Sequence, residues 1–176
     1  MKGIHLQTHC LRIDPLAASN APRFAAIAGD PRAAPMLGSF TSPFPEEEAA
    51  HRIARNTDGS APGHRLAVRL DGEQIGTVGL SPPDEVGVPS VIYFLDPDHW
   101  GRGLTGEAMA TFIPDCLRRH RPPAFVATAF EDNPASQRLL LRLGFDEVER
   151  GTSTSRARSG AVPSIFYRLD ARRAGA

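Results

Sequence analysis

Six residues in the middle of the chain carry the clearest chemical signal. Gly101-Arg102-Gly103-Leu104-Thr105-Gly106 spells G-x-G-x-x-G between an apolar run and an amphipathic stretch. Glycines at this spacing let backbone N–H groups approach an anion closely, and a helix that starts there offsets negative charge with its dipole. The chemistry implied is the holding of a phosphate or pyrophosphate. The same glycines also suit a tight loop that needs positive φ, so the motif alone leaves both readings open. A dinucleotide-binding fingerprint fits poorly, although Glu131-Asp132 does end the next predicted strand. Five residues separate Leu95 from Gly101, whereas the fingerprint turns directly off its strand. The cluster begins too late for a doubly wound sheet, and the hairpin before it is antiparallel. No Gly-Lys-Ser/Thr follows, which excludes a P-loop.

Other reactive side chains are less organised. His5 and His9 are spaced i, i+4 but fall in a predicted strand or tail, and no third ligand is placed, so no metal is expected. Cys10 and Cys116 lie in apolar neighbourhoods and read as two buried or half-buried thiols, not as a disulfide framework. No G-x-S-x-G elbow is present, so a serine hydrolase has no support.

The elements that must position the glycine cluster follow from periodicity. Residues 6–14 alternate loosely and predict a first strand. Ser19-Asn20-Ala21-Pro22 predicts a helix start, with Phe24, Ile27 and Ala28 on one face and Gly29 just past its end. Residues 31–45 form a proline-rich connection. Glu46-Glu47-Glu48 then suit the first turn of a second helix, where acids face the positive dipole end. Arg65–Leu70, Asp71-Gly72 and Glu73–Leu80 predict a β-hairpin, because Asp-Gly between alternating strands is a strong tight-turn signal. Val91–Leu95 is a continuous apolar run that predicts a central buried strand. Leu104, Ala108, Met109, Phe112, Ile113 and Cys116 mark an amphipathic helix, with a kink or early finish expected at Pro114. Ala124–Phe130 predicts a strand, and Asn133-Pro134 the N-cap and N1 of a further helix ending at Gly144. Strands at residues 145–150 and 165–169 complete the pattern, with a Ser/Thr/Arg/Gly-rich loop between them. The expectation is one mixed α/β domain over residues 1–170, with a right-handed crossover between Val91–Leu95 and Ala124–Phe130 and a frayed tail at 171–176.

Composition sets the outer bounds. The chain has 176 residues and 19.0 kDa, which suits one domain with a sizeable core. Twenty Lys+Arg balance twenty Asp+Glu, which argues against nucleic-acid binding by bulk charge. Nineteen of those cations are Arg, a pattern closer to GC-rich coding bias than to a binding surface. No window approaches a membrane span and no signal-like apolar run opens the chain, so the expectation is a cytoplasmic protein.

Around the glycines, His99-Trp100-Gly101-Arg102-Gly103-Leu104-Thr105-Gly106-Glu107-Ala108 resembles the acetyl-CoA pyrophosphate loop of the GNAT N-acetyltransferase superfamily. It looks most like the ribosomal-protein N-terminal alanine acetyltransferase branch, whose run is W-G-x-G-x-A-x-E-A. Thr105 stands where Ala or Gly is usual. A second stretch, Asn133-Pro134-Ala135-Ser136 through Gly144-Phe145, resembles the family's N-x-x-S-x-x-x-x-x-x-x-G-F helix. The resemblance covers about residues 6–170.

The resemblance implies a central, mostly antiparallel sheet of about six to seven strands, flanked by about four helices, whose two central parallel strands splay apart. It implies acetyl-CoA as donor, with the pantetheine arm pairing near Phe94 and Leu95. The pyrophosphate would lie on the backbone of Gly101, Arg102, Gly103, Leu104, Thr105 and Gly106, with Asn133 and Ser136 beside the cofactor. The reaction implied is direct acetyl transfer to a primary amine, on a protein N-terminus or a small molecule. A catalytically silent acyl-CoA-binding module on the same fold is the alternative. Many relatives place a Tyr four residues after the helix Ser, and here that position is Leu140. The related branch has been read as using the Ser itself, which maps to Ser136 as proton donor to the thiolate. Its hydroxyl equally suits a backbone group in the helix first turn. The base stays open among Asp84, Glu85, Asp98, Glu131 and Asp132, while Glu107 is expected to brace its loop and Trp100 to anchor packing. Relatives are often homodimers. Acceptor specificity is expected from residues 31–45, 81–89 and 151–164, and Arg102, Arg156 and Arg158 are the cations of interest.

Overall fold

The computed structural model describes residues 4–55 and 64–174. Eight strands form two antiparallel sheets. The first holds β1 (Leu6–Gln7), β2 (Leu11–Pro15), β3 (Arg65–Leu70), β4 (Glu73–Leu80) and β5 (Val91–Leu95), neighbouring in that order. The second holds β6 (Ala124–Phe130), β7 (Asp146–Ser153) and β8 (Val162–Asp170), with β8 in the middle. The sheets meet at one parallel bridge, Ser90 with Val126. Beyond that bridge β5 and β6 diverge, which is the expected splayed parallel pair.

The hairpin turn adopts the predicted form, with Asp71 and Gly72 both at positive φ, 50° and 86°. The first predicted strand instead divides in two. Thr8 folds the chain back, its hydroxyl accepting from Leu11 N–H at 2.8 Å, so β1 and β2 pair as a short hairpin. This turn and the break between the two sheets together exceed the single six-to-seven-stranded sheet that was expected.

Helices α1 (Ala21–Ala28) and α2 (Glu46–Ala54) share a core of Phe24, Phe40, Phe44 and the β5 residue Phe94. Phe24 and Phe94 meet edge to face with centroids 5.3 Å apart. Gly29 ends α1 for a steric reason: a Cβ there would stand 2.4 Å from Phe44 N. Helix α3 (Leu104–His120) packs Leu104, Met109, Phe112 and Cys116 into the second core cluster, together with Leu95 and the inward residues of both sheets. It neither stops nor shortens at Pro114. Pro114 and Ala110 are both exposed, so the carbonyl freed by the missing N–H faces solvent. Helix α4 (Pro134–Arg142) buries Leu139 and Leu140 against the second sheet. The chain then turns into a fifth short helix, α5 (Ala171–Ala174), where a frayed tail was expected; Ala171 N–H bonds Pro123 O at 3.1 Å. Cys10 is exposed and Cys116 buried, so only the second fits the expected buried thiol. Burial pushes the Cys116 thiol up.

Candidate active site

The divergence of β5 and β6 opens a cavity of about 600 Å³. Its backbone chemistry follows from strand parity. Asp96 N–H bonds Ile75 O, and β4 residue Gly76 lies opposite Leu95. Opposed residues in an antiparallel pair alternate between facing each other and facing away. Val91, Tyr93 and Leu95 therefore turn their backbone groups away from β4, toward β6. On β6, Glu131 N–H bonds Pro163 O and Phe130 lies opposite Ser164, so Val126 and Thr128 turn theirs toward β5. The expected pairing groups shift accordingly. Leu95 presents its N–H to the cleft, while its carbonyl accepts from Trp100 Nε1 at 2.9 Å. Phe94 turns its backbone to β4, and Tyr93 takes its place on the open edge.

The glycine loop closes one end of the cavity. Gly101 and Gly103 hold φ of 74° and 76°, the left-handed conformation that glycine adopts without strain. Gly103 is the N-cap of the 17-residue α3, and the first intrahelical bond is Glu107 N–H to Gly103 O. The N–H groups of Leu104, Thr105 and Gly106 precede that bond, so they are the orphan donors of the helix start. They sit on the cavity wall with Gly101 and Gly103. This donor set fits a pyrophosphate, and the open strand edges fit an amide-bearing arm. Arg102 is exposed and off the wall. Glu107 braces more than its own loop. It accepts from Cys10 N–H at 2.7 Å and from the Thr8 hydroxyl, which ties the β1–β2 turn to α3. Those bonds, Thr8 foremost, hold its carboxyl below the usual range. Trp100 is 47% exposed, a rim residue anchored by its indole bond and not a core anchor.

Helix α4 closes the other wall. Asn133 Oδ1 caps it by accepting from Ser136 N–H at 3.2 Å. Among the described residues the Ser136 hydroxyl bonds no backbone group. It meets Tyr93 Oη at 2.7 Å, across the cleft. Leu140, the position where many relatives carry Tyr, is fully buried in the core. Arg138 and Arg142 line the same wall, and neither has an ion pair among the described residues.

The acid candidates thin out. Asp84 caps its own loop, Asp98 pairs with Arg32 and Glu131 with Arg150. Neither these three nor Glu85 lines the cavity. Asp132 does, but Arg158 grips both its oxygens and holds its carboxyl below the usual range. His99, which periodicity gave no reason to single out, also lines the wall, with Nδ1 buried and no hydrogen-bond partner among the described residues. His5 is occupied by Asp14 at 2.8 Å.

Ala33 and residues 36–40 form a third wall, which the 31–45 expectation covers. Residues 81–89 stay off it. The late loop props it from outside: Ser155 Oγ donates to Leu37 O at 2.8 Å, Arg156 N–H to Gly38 O at 3.0 Å, and the Arg156 side chain to Glu48. Arg65, also on the wall, lies 5.6–5.7 Å from the ring centroids of Phe24, Phe40 and Phe94, and burial pushes its guanidinium down to about 10.

A cleft between diverging parallel strands thus carries, at its end, a glycine-led helix start with free backbone donors. The acetyltransferase (GNAT) domain model matches residues 11–146, and the chain belongs to that family. Solved structures share the fold at low identity. A GNAT-family acetyltransferase from Bacillus anthracis is 13% identical with TM-score 0.80, covering 96% of this chain and 99% of its own. The ribosomal-protein-S5-alanine acetyltransferase from Vibrio fischeri is 18% identical with TM-score 0.80, covering 95% and 96%. A ribosomal L7/L12 α-N-protein acetyltransferase in complex with coenzyme A is 15% identical with TM-score 0.82, covering 95% and 98%. No curated protein matches the chain. Among the described residues, no helix is long and apolar enough to cross a membrane.

Proposed function

We propose that this chain is an N-acetyltransferase that moves the acetyl group of acetyl-CoA directly to a primary amine. One observation carries the reading: the orphan N–H groups of Leu104, Thr105 and Gly106 and the open backbone edges of β5 and β6 line the same cavity. Bound acetyl-CoA supplies a thioester, whose C–S bond breaks as the C–N bond forms, with the amine's proton ending on sulfur. The glycine loop and helix start hold the pyrophosphate. Tyr93 and Leu95 on β5, with Thr128 on β6, pair the pantetheine amides. The Leu95 N–H, free on the cleft edge, is the donor that polarises the acetyl carbonyl in this reading. Ser136 supplies a hydroxyl to the sulfur, and Asn133 fixes the helix start beneath it. Among the described residues, Asp132 and His99 are the wall's proton acceptors, and Arg158 occupies the first. We take His99 to receive, directly or through water, the first proton that the ammonium form of the acceptor loses before attack; the second, lost as the C–N bond forms, is the one that ends on sulfur.

The acceptor enters against residues 33–40. Two of the similar structures are ribosomal-protein acetyltransferases, one of them an α-N-protein acetyltransferase, which supports a protein N-terminal amine beside small amines as acceptor. The test is CoA release across a panel of amines and N-terminal peptides. Acceptor-dependent release with a matching acetylated product supports the transferase. Tight acetyl-CoA binding without release by any acceptor supports the silent binding module instead, which the buried Leu140 keeps in play.

A further inference from the structure

Tyr93 and Ser136 stand on opposite walls of the cleft, one on β5 and one in the first turn of α4, and their oxygens are 2.7 Å apart. Among the described residues each hydroxyl has the other as its only side-chain partner. Each carries one hydrogen, so one donates and the other keeps its hydrogen free. The phenol is the stronger acid and the better donor. Its hydrogen therefore goes to Ser136 Oγ, and the Ser136 hydrogen is left to point into the cleft. The Asn133 cap fixes the backbone beneath Oγ, so the direction is held from two sides.

We propose that Tyr93 is a positioning residue for acetyl transfer: it donates to Ser136 Oγ and so aims the Ser136 hydroxyl at the departing sulfur. The inference rests on the transferase reading above. It also accounts for a phenol appearing on β5 while Leu140 occupies the α4 position in the core.

The pair works by hydrogen bonding, not by giving up a proton. Burial pushes the Tyr93 phenol up to about 12, with the Ser136 bond partly offsetting this. A thiol ordinarily titrates near 8.5. Moving the phenol proton to a thiolate thus runs uphill by a factor of roughly a thousand or more. Tyr93 and Ser136 keep their protons, the sulfur takes the electron pair of the C–S bond, and the proton that completes the thiol comes from the amine nitrogen.

The experiment uses Tyr93→Phe, Ser136→Ala and the double variant. One arm measures turnover at saturating acetyl-CoA. Each single variant is expected to lower kcat by about ten- to a hundredfold, the value of one hydrogen bond to a charged group, with KM for acetyl-CoA nearly unchanged. The double variant should be no slower than the slower single. The second arm needs no turnover: calorimetric affinity for CoA relative to desulfo-CoA between about pH 7 and 10. Wild type should favour CoA increasingly as the thiolate forms near 8.5, and both single variants should lose that rise. Fluorotyrosine at position 93 guards against a folding effect, since a more acidic phenol of nearly the same shape should steepen the rise. A Tyr93→Phe protein with wild-type kcat and a wild-type pH rise overturns the proposal. Equal losses in CoA and desulfo-CoA affinity also overturn it, because they mark a packing role. A wild-type protein that binds acetyl-CoA and acetylates nothing overturns the transferase reading itself and this role with it, a result distinct from either variant outcome.

Discussion

Gly103 and Gly72 form a natural matched pair for testing the anion cradle. Both hold left-handed backbone, with φ of 76° and 86°, and at both a Cβ would meet nothing within 4 Å. Substitution by Ala therefore costs only backbone strain, about 1 kcal/mol at each site. For a domain of this size that lowers Tm by about 2–4 °C. The two sites differ in what stands in front of them. Gly103 lies on the cavity wall at the α3 start, whereas Gly72 lies in the β3–β4 turn, off that wall. On the proposed reading, a methyl group at Gly103 competes with a phosphate oxygen approaching the first-turn N–H groups to about 2.9 Å. We expect Gly103→Ala and Gly72→Ala to melt alike, and only Gly103→Ala to lose acetyl-CoA affinity, by about ten- to a hundredfold for one or two charge-assisted bonds. Thermal unfolding and titration calorimetry on the same preparations give both numbers. Equal acetyl-CoA affinity in the two variants would refute the cradle and leave the glycines as turn residues only.

Three further outcomes follow from the geometry. Glu107→Ala should destabilise the fold by about 1 kcal/mol at neutral pH, once charged hydrogen bonds are discounted for partial exposure. Its folded carboxyl titrates below the unfolded one, so that contribution is complete above about pH 4.3 and fades as pH falls through the folded value. Melting curves of the variant and wild type should converge in acid. Asp132→Asn should leave kcat/KM nearly unchanged, because Arg158 already engages that carboxylate, and His99→Gln should lower it by about a hundredfold or more, read from steady-state kinetics. A loss of that size in the Asp132 variant alone would reverse the assignment. Arg138→Ala with Arg142→Ala should weaken acetyl-CoA binding and flatten its dependence on salt, measured by calorimetry at two ionic strengths, since these two cations of the α4 wall have no protein counter-ion among the described residues.

Much of this architecture could be read from the residues, where local physics decides it. The Asp71-Gly72 turn, the Val91–Leu95 and Ala124–Phe130 strands and the Asn133 cap all appear where turn chemistry and periodicity place them. The glycine cluster was visible as a positive-φ loop at a helix start, and its flanking residues carried the family resemblance. What periodicity missed depends on pairing between distant segments. Nothing local shows that the Thr8 hydroxyl splits a strand, or that Glu107 reaches back to that turn. Tyr93 and Phe94 look equivalent as neighbours in an apolar run. Only the register against β4 decides that Tyr93 turns its backbone toward the cleft. Arg156 and Arg158 were cations of interest, but Glu48 and Asp132 engage them: Arg156 props the wall of residues 36–40, Arg158 holds Asp132, and neither lines the cavity.

The proposed function requires one cavity to hold both the pyrophosphate and the thioester of acetyl-CoA. A crystal structure of the acetyl-CoA complex measures this directly. We expect the pyrophosphate within hydrogen-bond distance of the Leu104, Thr105 and Gly106 N–H groups, and the sulfur between Leu95 and Ser136. A pyrophosphate bound away from that helix start, or a sulfur outside the β5–β6 cleft, would contradict it.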